Sequence, residues 1–215
     1  MPTEAEAKFL LAADLPATAI LRFLEKQGYT VRPGPVVDQV DRYWDTTAWD
    51  LWRQGWACRW RRRGSERLVG LKALTAADGL LHRRAEAEAE VAAFPAPALP
   101  LPLPALAGLL DDSAAPLQEL FRVETNRRTF FADGAACRLE VCFDRTLVAA
   151  PGQPRQTGQP RFFELELELL RGREDALRRT AAALQGQEGV RPAPQSKFER
   201  GLRTAGLRPP AAAPD

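Results

Sequence analysis

Ionisable residues stand at every second position in five stretches of this 215-residue chain. Glu4-Ala5-Glu6-Ala7-Lys8 comes first. Arg59-Trp60-Arg61, Arg84-Ala85-Glu86-Ala87-Glu88-Ala89-Glu90, Arg138-Leu139-Glu140-Val141-Cys142-Phe143-Asp144 and Glu164-Leu165-Glu166-Leu167-Glu168 follow. A period of two in a strand sends every charge to one face and the apolar or small residues to the other. Carboxylates paired in this way are hard oxygen ligands for a divalent cation, and they repel unless a cation lies between them. Arginine offers phosphate a planar fork and lysine a point charge. One such run is equally well a solvated strand edge. Five runs in one closed sheet can line a common interior, suited to a polyanion held through metal ions.

Composition removes other chemistries. His82 is the single histidine, and no nucleophile motif surrounds it, so a Ser-His-Asp or Cys-His site is not expected. Cys58, Cys137 and Cys142 have no metal-ligand spacing, and their odd number suits reduced thiols in a cytoplasm. With abundant carboxylates and almost no imidazole, the expected metal is Mg²⁺ or Mn²⁺, with Ca²⁺ behind them. The net charge of +2 gives no general attraction to nucleic acid or membrane. The run Arg59-Trp60-Arg61-Arg62-Arg63 is the exception, since a basic stretch with an interleaved aromatic is also a nucleic-acid patch. No glycine-rich phosphate loop of the Walker type is present.

The elements needed to position these runs are mostly strands. The pattern predicts strands over 3–11, 40–45, 57–63, 67–74, 80–91, 121–132, 136–146 and 161–170. A Pro33-Gly34-Pro35 turn is expected before the second, a hairpin at Gly64-Ser65-Glu66, a turn at 76–79 and another hairpin at Asp133-Gly134. Ala85 to Val91 is also compatible with helix by composition, but a helix would scatter its charges around the axis. Helices are expected from Ala17 to Gln27, briefly at 50–54, at 105–110, over 173–184, and after a Ser196 cap through Arg203. Residues 95–104 read as a proline-rich connector and 151–160 as a polar loop. The five tryptophans read as core or rim aromatics. Hairpin connection of about eight strands favours an antiparallel sheet or barrel with helices outside. One domain over 1–207 and a disordered Pro/Ala tail over 208–215 are the expected organisation.

The ordered motifs resemble the CYTH superfamily, the triphosphate tunnel metalloenzymes. They are Glu4-x-Glu6-x-Lys8, Tyr43-Trp44-Asp45-Thr46, Arg59-x-Arg61, Leu71-Lys72, Arg84-x-Glu86-x-Glu88, Glu140 with Asp144, Glu164-Leu165-Glu166-Leu167-Glu168 and Ser196-Lys197-Phe198-Glu199-Arg200-Gly201. The last two together look most like the bacterial inorganic triphosphatases. The resemblance implies an α+β protein built on a closed eight-stranded antiparallel β tunnel with flanking helices. It implies a metal-dependent triphosphatase, with Glu4, Glu6, Glu140, Asp144, Glu164 and Glu166 as ligands to Mg²⁺ or Mn²⁺. Lys8, Arg59, Arg61, Lys72, Arg84, Arg128, Lys197 and Arg200 would bind phosphates. Arg128 is preferred over Arg127 because it shares a face with Asn126 and Phe130. Glu4, Glu6, Lys8, Glu164 and Glu166 would carry catalysis. The expected partner is inorganic triphosphate or another triphosphate-containing small molecule, with no nucleic acid and no membrane, in a cytoplasmic monomer or homodimer. A non-catalytic polyphosphate- or triphosphate-binding module, a thiamine triphosphatase and a class IV adenylate cyclase are the alternatives.

Overall fold

The computed structural model describes residues 3–74, 79–93, 109–110, 116–151 and 161–211. The strands are β1 (Thr3–Leu11), β2 (Thr30–Thr46), β3 (Trp56–Arg63), β4 (Glu66–Ala73), β5 (Leu81–Glu90), β6 (Leu117–Asp133), β7 (Cys137–Ala149), β8 (Arg161–Gly172) and β9 (Val190–Pro192). The helices are α1 (Ala17–Lys26), α2 (Asp50–Arg53), α3 (Glu174–Gln185) and α4 (Lys197–Thr204). The sheet order is β5-β4-β3-β2-β6-β7-β8-β1-β9, and β1 also pairs with β5. That extra pairing closes β1–β8 into an antiparallel barrel, with short β9 added to β1. The expected α+β architecture is therefore the observed one. The connector at 95–104, most of the helix expected at 105–110, most of the turn at 76–79, most of the loop at 151–160 and residues 212–215 lie outside the described residues.

The barrel places its apolar strand faces outside, where helices cover them. Phe9 of β1, Leu139 and Val141 of β7, and Leu165 and Leu167 of β8 pack with Ile20 and Leu24 of α1 and Leu177, Ala181 and Leu184 of α3. Each strand is thus apolar toward its helices, and the alternate residues, which carry the charge, have only the interior left to face. A second outer cluster covers β2–β4, where Trp44 and Trp60 stack with ring centroids 4.3 Å apart above Cys58, Val69 and Leu71.

A third cluster, built on Tyr43, Phe121 and Phe198, joins α4 to the barrel. Ser196 starts this helix with the expected capping box. Its Oγ accepts from the Glu199 N–H at 3.2 Å, and the Glu199 carboxylate accepts from the Ser196 N–H at 2.7 Å. A cap of this kind contributes about 1 kcal/mol. A Cβ at Gly201 would collide with the Phe121 ring, so the glycine lets α4 seat against the barrel wall.

One expectation is corrected. Pro33-Gly34-Pro35 does not end a strand, because β2 runs through it from Thr30 to Thr46. The register with β6 shifts between Pro33 and Val36, so the two prolines without N–H groups fall at an irregularity that tolerates them. A Cβ at Gly34 would lie 3.0 Å from the Phe131 ring, which explains a glycine between them.

Candidate active site

The barrel interior holds a cavity of about 310 Å³ lined by eight basic and seven acidic side chains. Glu4, Glu6 and Lys8 enter from β1; Arg59, Arg61 and Arg63 from β3; Lys72 from β4; Arg84, Glu86 and Glu88 from β5. Arg127 of β6, Glu140 of β7, Glu166 and Glu168 of β8 and Lys197 of α4 complete the set. Strand alternation does this work: the residues between them, such as Ala7, Trp60, Leu71, Val141 and Leu167, belong to the outer clusters.

Lys197 reaches from the first turn of α4 into three carboxylates. Its Nζ lies 2.9 Å from Asp144, 3.0 Å from Glu164 and 2.5 Å from Glu166. Oxygens of that trio all lie within 4.8 Å of one another, close enough to enclose a metal ion. The ammonium already stands there, however, and Arg127 ion-pairs with both Asp144 and Glu166. Arg200 comes within 3.6 Å of Glu164 and stacks over the Phe162 ring. Burial favours a neutral Glu166, but Lys197, Lys8 and Arg127 outweigh it and hold its pKa well below the usual range. Asp144 and Glu164 do not line the cavity itself, and neither does Arg200.

On the opposite wall the pairs are equally close. Arg59 contacts Glu86 at 2.8 Å and Glu88 at 3.0 Å. Arg61 makes a fork to Asp41, with Nε to Oδ1 at 2.6 Å and Nη2 to Oδ2 at 2.9 Å. Asp41 is fully buried; burial alone would raise its pKa, yet Arg61 brings it down to about 2. Lys72 lies 2.5 Å from Glu4, 3.3 Å from Glu86 and 3.6 Å from Glu6. Lys8 lies 3.1 Å from Glu6 and 3.0 Å from Glu166.

Among the carboxylates that line the cavity, Glu140 and Glu168 have no ion pair with a basic side chain in the described residues. Glu140 and Glu168 stand opposite each other on β7 and β8, and Glu168 stands opposite Glu6 on β1. Burial, then the charge of Glu4 and a hydrogen bond with it, then Glu140 and Glu6, push Glu168 up to about 8. Burial and neighbouring carboxylates both favour the neutral form, and a divalent cation among these oxygens would favour the ionised one. The donors are all hard oxygens, so Glu4, Glu6, Glu140 and Glu168 fit Mg²⁺ or Mn²⁺ better than a softer ion. Among the described residues, the acids whose oxygens all lie within 4.8 Å of one another are those of the Asp144, Glu164 and Glu166 trio.

One site residue is corrected. Arg128 is exposed on the outer face, with its guanidinium 5.0 Å from the centre of the Phe130 ring. Arg127 faces inward, in register with Asp144. The phase shared with Phe130 was misleading because Phe130 packs in the outer core, which is the apolar side of this barrel. Asp41 was not singled out from sequence, Arg127 was weighed and passed over, and Glu168 stood in its run without an assigned role. Gln39-x-Asp41-x-Tyr43-x-Asp45 does alternate, but Arg42 on the other face hides the pattern. Asp45 serves the scaffold: it accepts from the N–H groups of Thr46, Leu51 and Trp52 at 2.8, 3.0 and 3.0 Å, and so fixes the turn through α2 that aims β3.

The family model for the CYTH domain matches residues 2–202. The chain belongs to the CYTH family. No curated protein matches it. Among solved structures, this CYTH domain is similar to HpAC1 of Hippeastrum, described as an adenylyl cyclase candidate with a dominant triphosphatase activity. The TM-score is 0.59 at 18% identity, covering 95% of this chain and 97% of that one. A protein of Bacillus halodurans described as an adenylate cyclase candidate gives 0.57 at 19% identity, covering 93% and 98%. The protein PH1819 of Pyrococcus horikoshii gives 0.52 at 16% identity, covering 92% and 98%. At these identities the likeness is one of fold.

Proposed function

We propose that this CYTH domain binds inorganic triphosphate in the barrel cavity and hydrolyses it to pyrophosphate and phosphate with Mg²⁺ or Mn²⁺. The observation that carries the reading is Arg84. It is 5% exposed, lines the cavity, and is the basic wall residue without a carboxylate partner among the described residues. Its Nε is buried with no hydrogen-bond partner. An uncompensated buried charge is costly, and an anion arriving from solution removes that cost. The other basic groups of the wall are held by carboxylates, so they are already positioned when a polyanion enters. Arginine forks and lysine ammoniums fixed in this way stabilise charge on a transferred phosphoryl group without reorganising.

The balance of the wall argues for a metal. Eight basic against seven acidic side chains leave little net charge to accept a polyanion alone. A divalent ion held by Glu4, Glu6, Glu140 and Glu168 would neutralise phosphate charge and make a bound water more acidic. The description of the Hippeastrum protein supports hydrolysis over cyclisation. The test is phosphate release from triphosphate, pyrophosphate, ATP, thiamine triphosphate and long polyphosphate, each with Mg²⁺ or Mn²⁺. Triphosphate is expected to turn over fastest. Fastest turnover of another compound moves the substrate, and binding without release in either metal makes the domain a binding module.

A further inference from the structure

His82 stands at the start of β5 on the same face as Arg84 and is 2% exposed. Its Nδ1 lies 2.9 Å from Nη2 of Arg84. A guanidinium only donates, so Nδ1 must be the unprotonated, accepting nitrogen. The ring also hydrogen-bonds the Ala193 backbone, an interaction that favours protonation and therefore has the ring donating, through Nε2. The Ala193 N–H in turn donates to the Lys8 carbonyl at 2.9 Å. One tautomer is thus fixed between β1, β5 and the segment leading to α4. A protonated imidazole has no acceptor nitrogen for a guanidinium, so the ring beside Arg84 is the neutral form.

The remaining basic wall residues are held by carboxylates, which position them and also neutralise them. Arg84 is held by a neutral acceptor. We propose that His82 is a positioning residue that fixes the Arg84 guanidinium through Nδ1 while leaving its full charge for the substrate anion. The inference rests on the triphosphate reading of the cavity. It gives the single histidine a task separate from proton transfer, since the ring has no free nitrogen to offer.

The test is a double-mutant cycle on triphosphate binding, measured by calorimetry with Mg²⁺ and accompanied by thermal melts. Arg84→Ala is expected to weaken binding at least tenfold, about 1.4 kcal/mol. His82→Leu is expected to weaken it comparably, and the double variant no further than Arg84→Ala alone. His82→Asn, which restores a short neutral acceptor, is expected to recover most of the affinity. Losses that add in the double variant, or an unaffected His82→Leu, overturn the positioning role and leave the triphosphate reading standing. Wild-type protein that does not bind triphosphate overturns both. Should His82→Leu fail to fold, ¹⁵N NMR of the single histidine in the wild type decides: an unprotonated Nδ1 with a protonated Nε2 at neutral pH is expected. A proton on Nδ1 contradicts the proposal.

Discussion

The ammonium of Lys197 lies 2.5 Å from the carboxylate of Glu166, joining the first turn of α4 to the inner face of β8. A cation supplied by the chain thus stands among three buried acids whose oxygens lie within 4.8 Å of one another.

Lys197→Ala should therefore damage stability as well as turnover. Removing one partner from a buried ion pair costs about 3–5 kcal/mol. Without the ammonium the Glu166 pKa rises, so the variant binds protons more readily than wild type when folded. Its stability deficit should be large near about pH 8 and narrow toward about pH 5. Added Mn²⁺ should recover part of it, because the trio becomes free to accept an ion. Urea unfolding with and without Mn²⁺ measures this; a deficit independent of both pH and metal contradicts it.

Arg127→Ala should lower triphosphate turnover by at least tenfold, about 1.4 kcal/mol, while Arg128→Ala leaves it nearly unchanged. Arg127 lines the cavity between Asp144 and Glu166, and Arg128 touches only the Phe130 ring among the contacts described. Kinetics of the two single variants decide; a damaging Arg128→Ala would overturn the strand phase.

Asp41→Asn should cost roughly 2 kcal/mol near pH 7, since a shift from 3.8 to about 2 corresponds to that much favourable interaction with Arg61. The sign follows from the lowered folded pKa. The contribution is complete above the unfolded value and is lost as pH falls from about 4 to about 2. Wild type and variant should converge in acid-unfolding curves over that range. Parallel curves there would show that the Arg61 fork adds no stability.

Glu168 works in the other direction. Its folded pKa is raised from 4.5 to about 8, so metal-free protein should lose stability as pH rises through that interval and level off above it. Glu168→Gln should flatten this part of the curve, and Mg²⁺ or Mn²⁺ should flatten it in the wild type. Denaturant midpoints against pH in EDTA report it. A slope retained in Glu168→Gln would assign the effect to other groups.

The fold was legible in the chain because strand alternation is local and the charges mark it. Glu4, Glu6, Lys8, Arg59, Arg61, Arg84 and Glu166 all share one face with their neighbours in the period-two runs, and the barrel brings them together in one cavity with Lys72. What alternation alone could not decide was which face is inside. On β6 both phases carry an arginine, and the aromatic Phe130 pulled the assignment outward. Asp41 was hidden because Arg42 beside it makes the charge continuous. Nor does a sequence reveal which carboxylates keep a cation of their own. Asp144 and Glu164 read as metal ligands from their runs, and only the fold shows that Lys197, distant in sequence, stands among them. Pro33 and Pro35 announced a turn that a long strand absorbs as a register shift.

Metal-dependent phosphate release from inorganic triphosphate, compared between wild type and Glu4→Gln, tests the central claim most directly. Glu4 faces Glu6, Glu86 and Glu168 and is held by Lys72, so its neutralisation relieves repulsion in the metal-free protein and should leave the melting temperature equal or slightly higher. The account predicts rapid release by wild type with Mg²⁺ or Mn²⁺, none in excess EDTA, and none from the folded Glu4→Gln variant in either metal. Equal turnover in EDTA, or wild-type activity in Glu4→Gln, would contradict it.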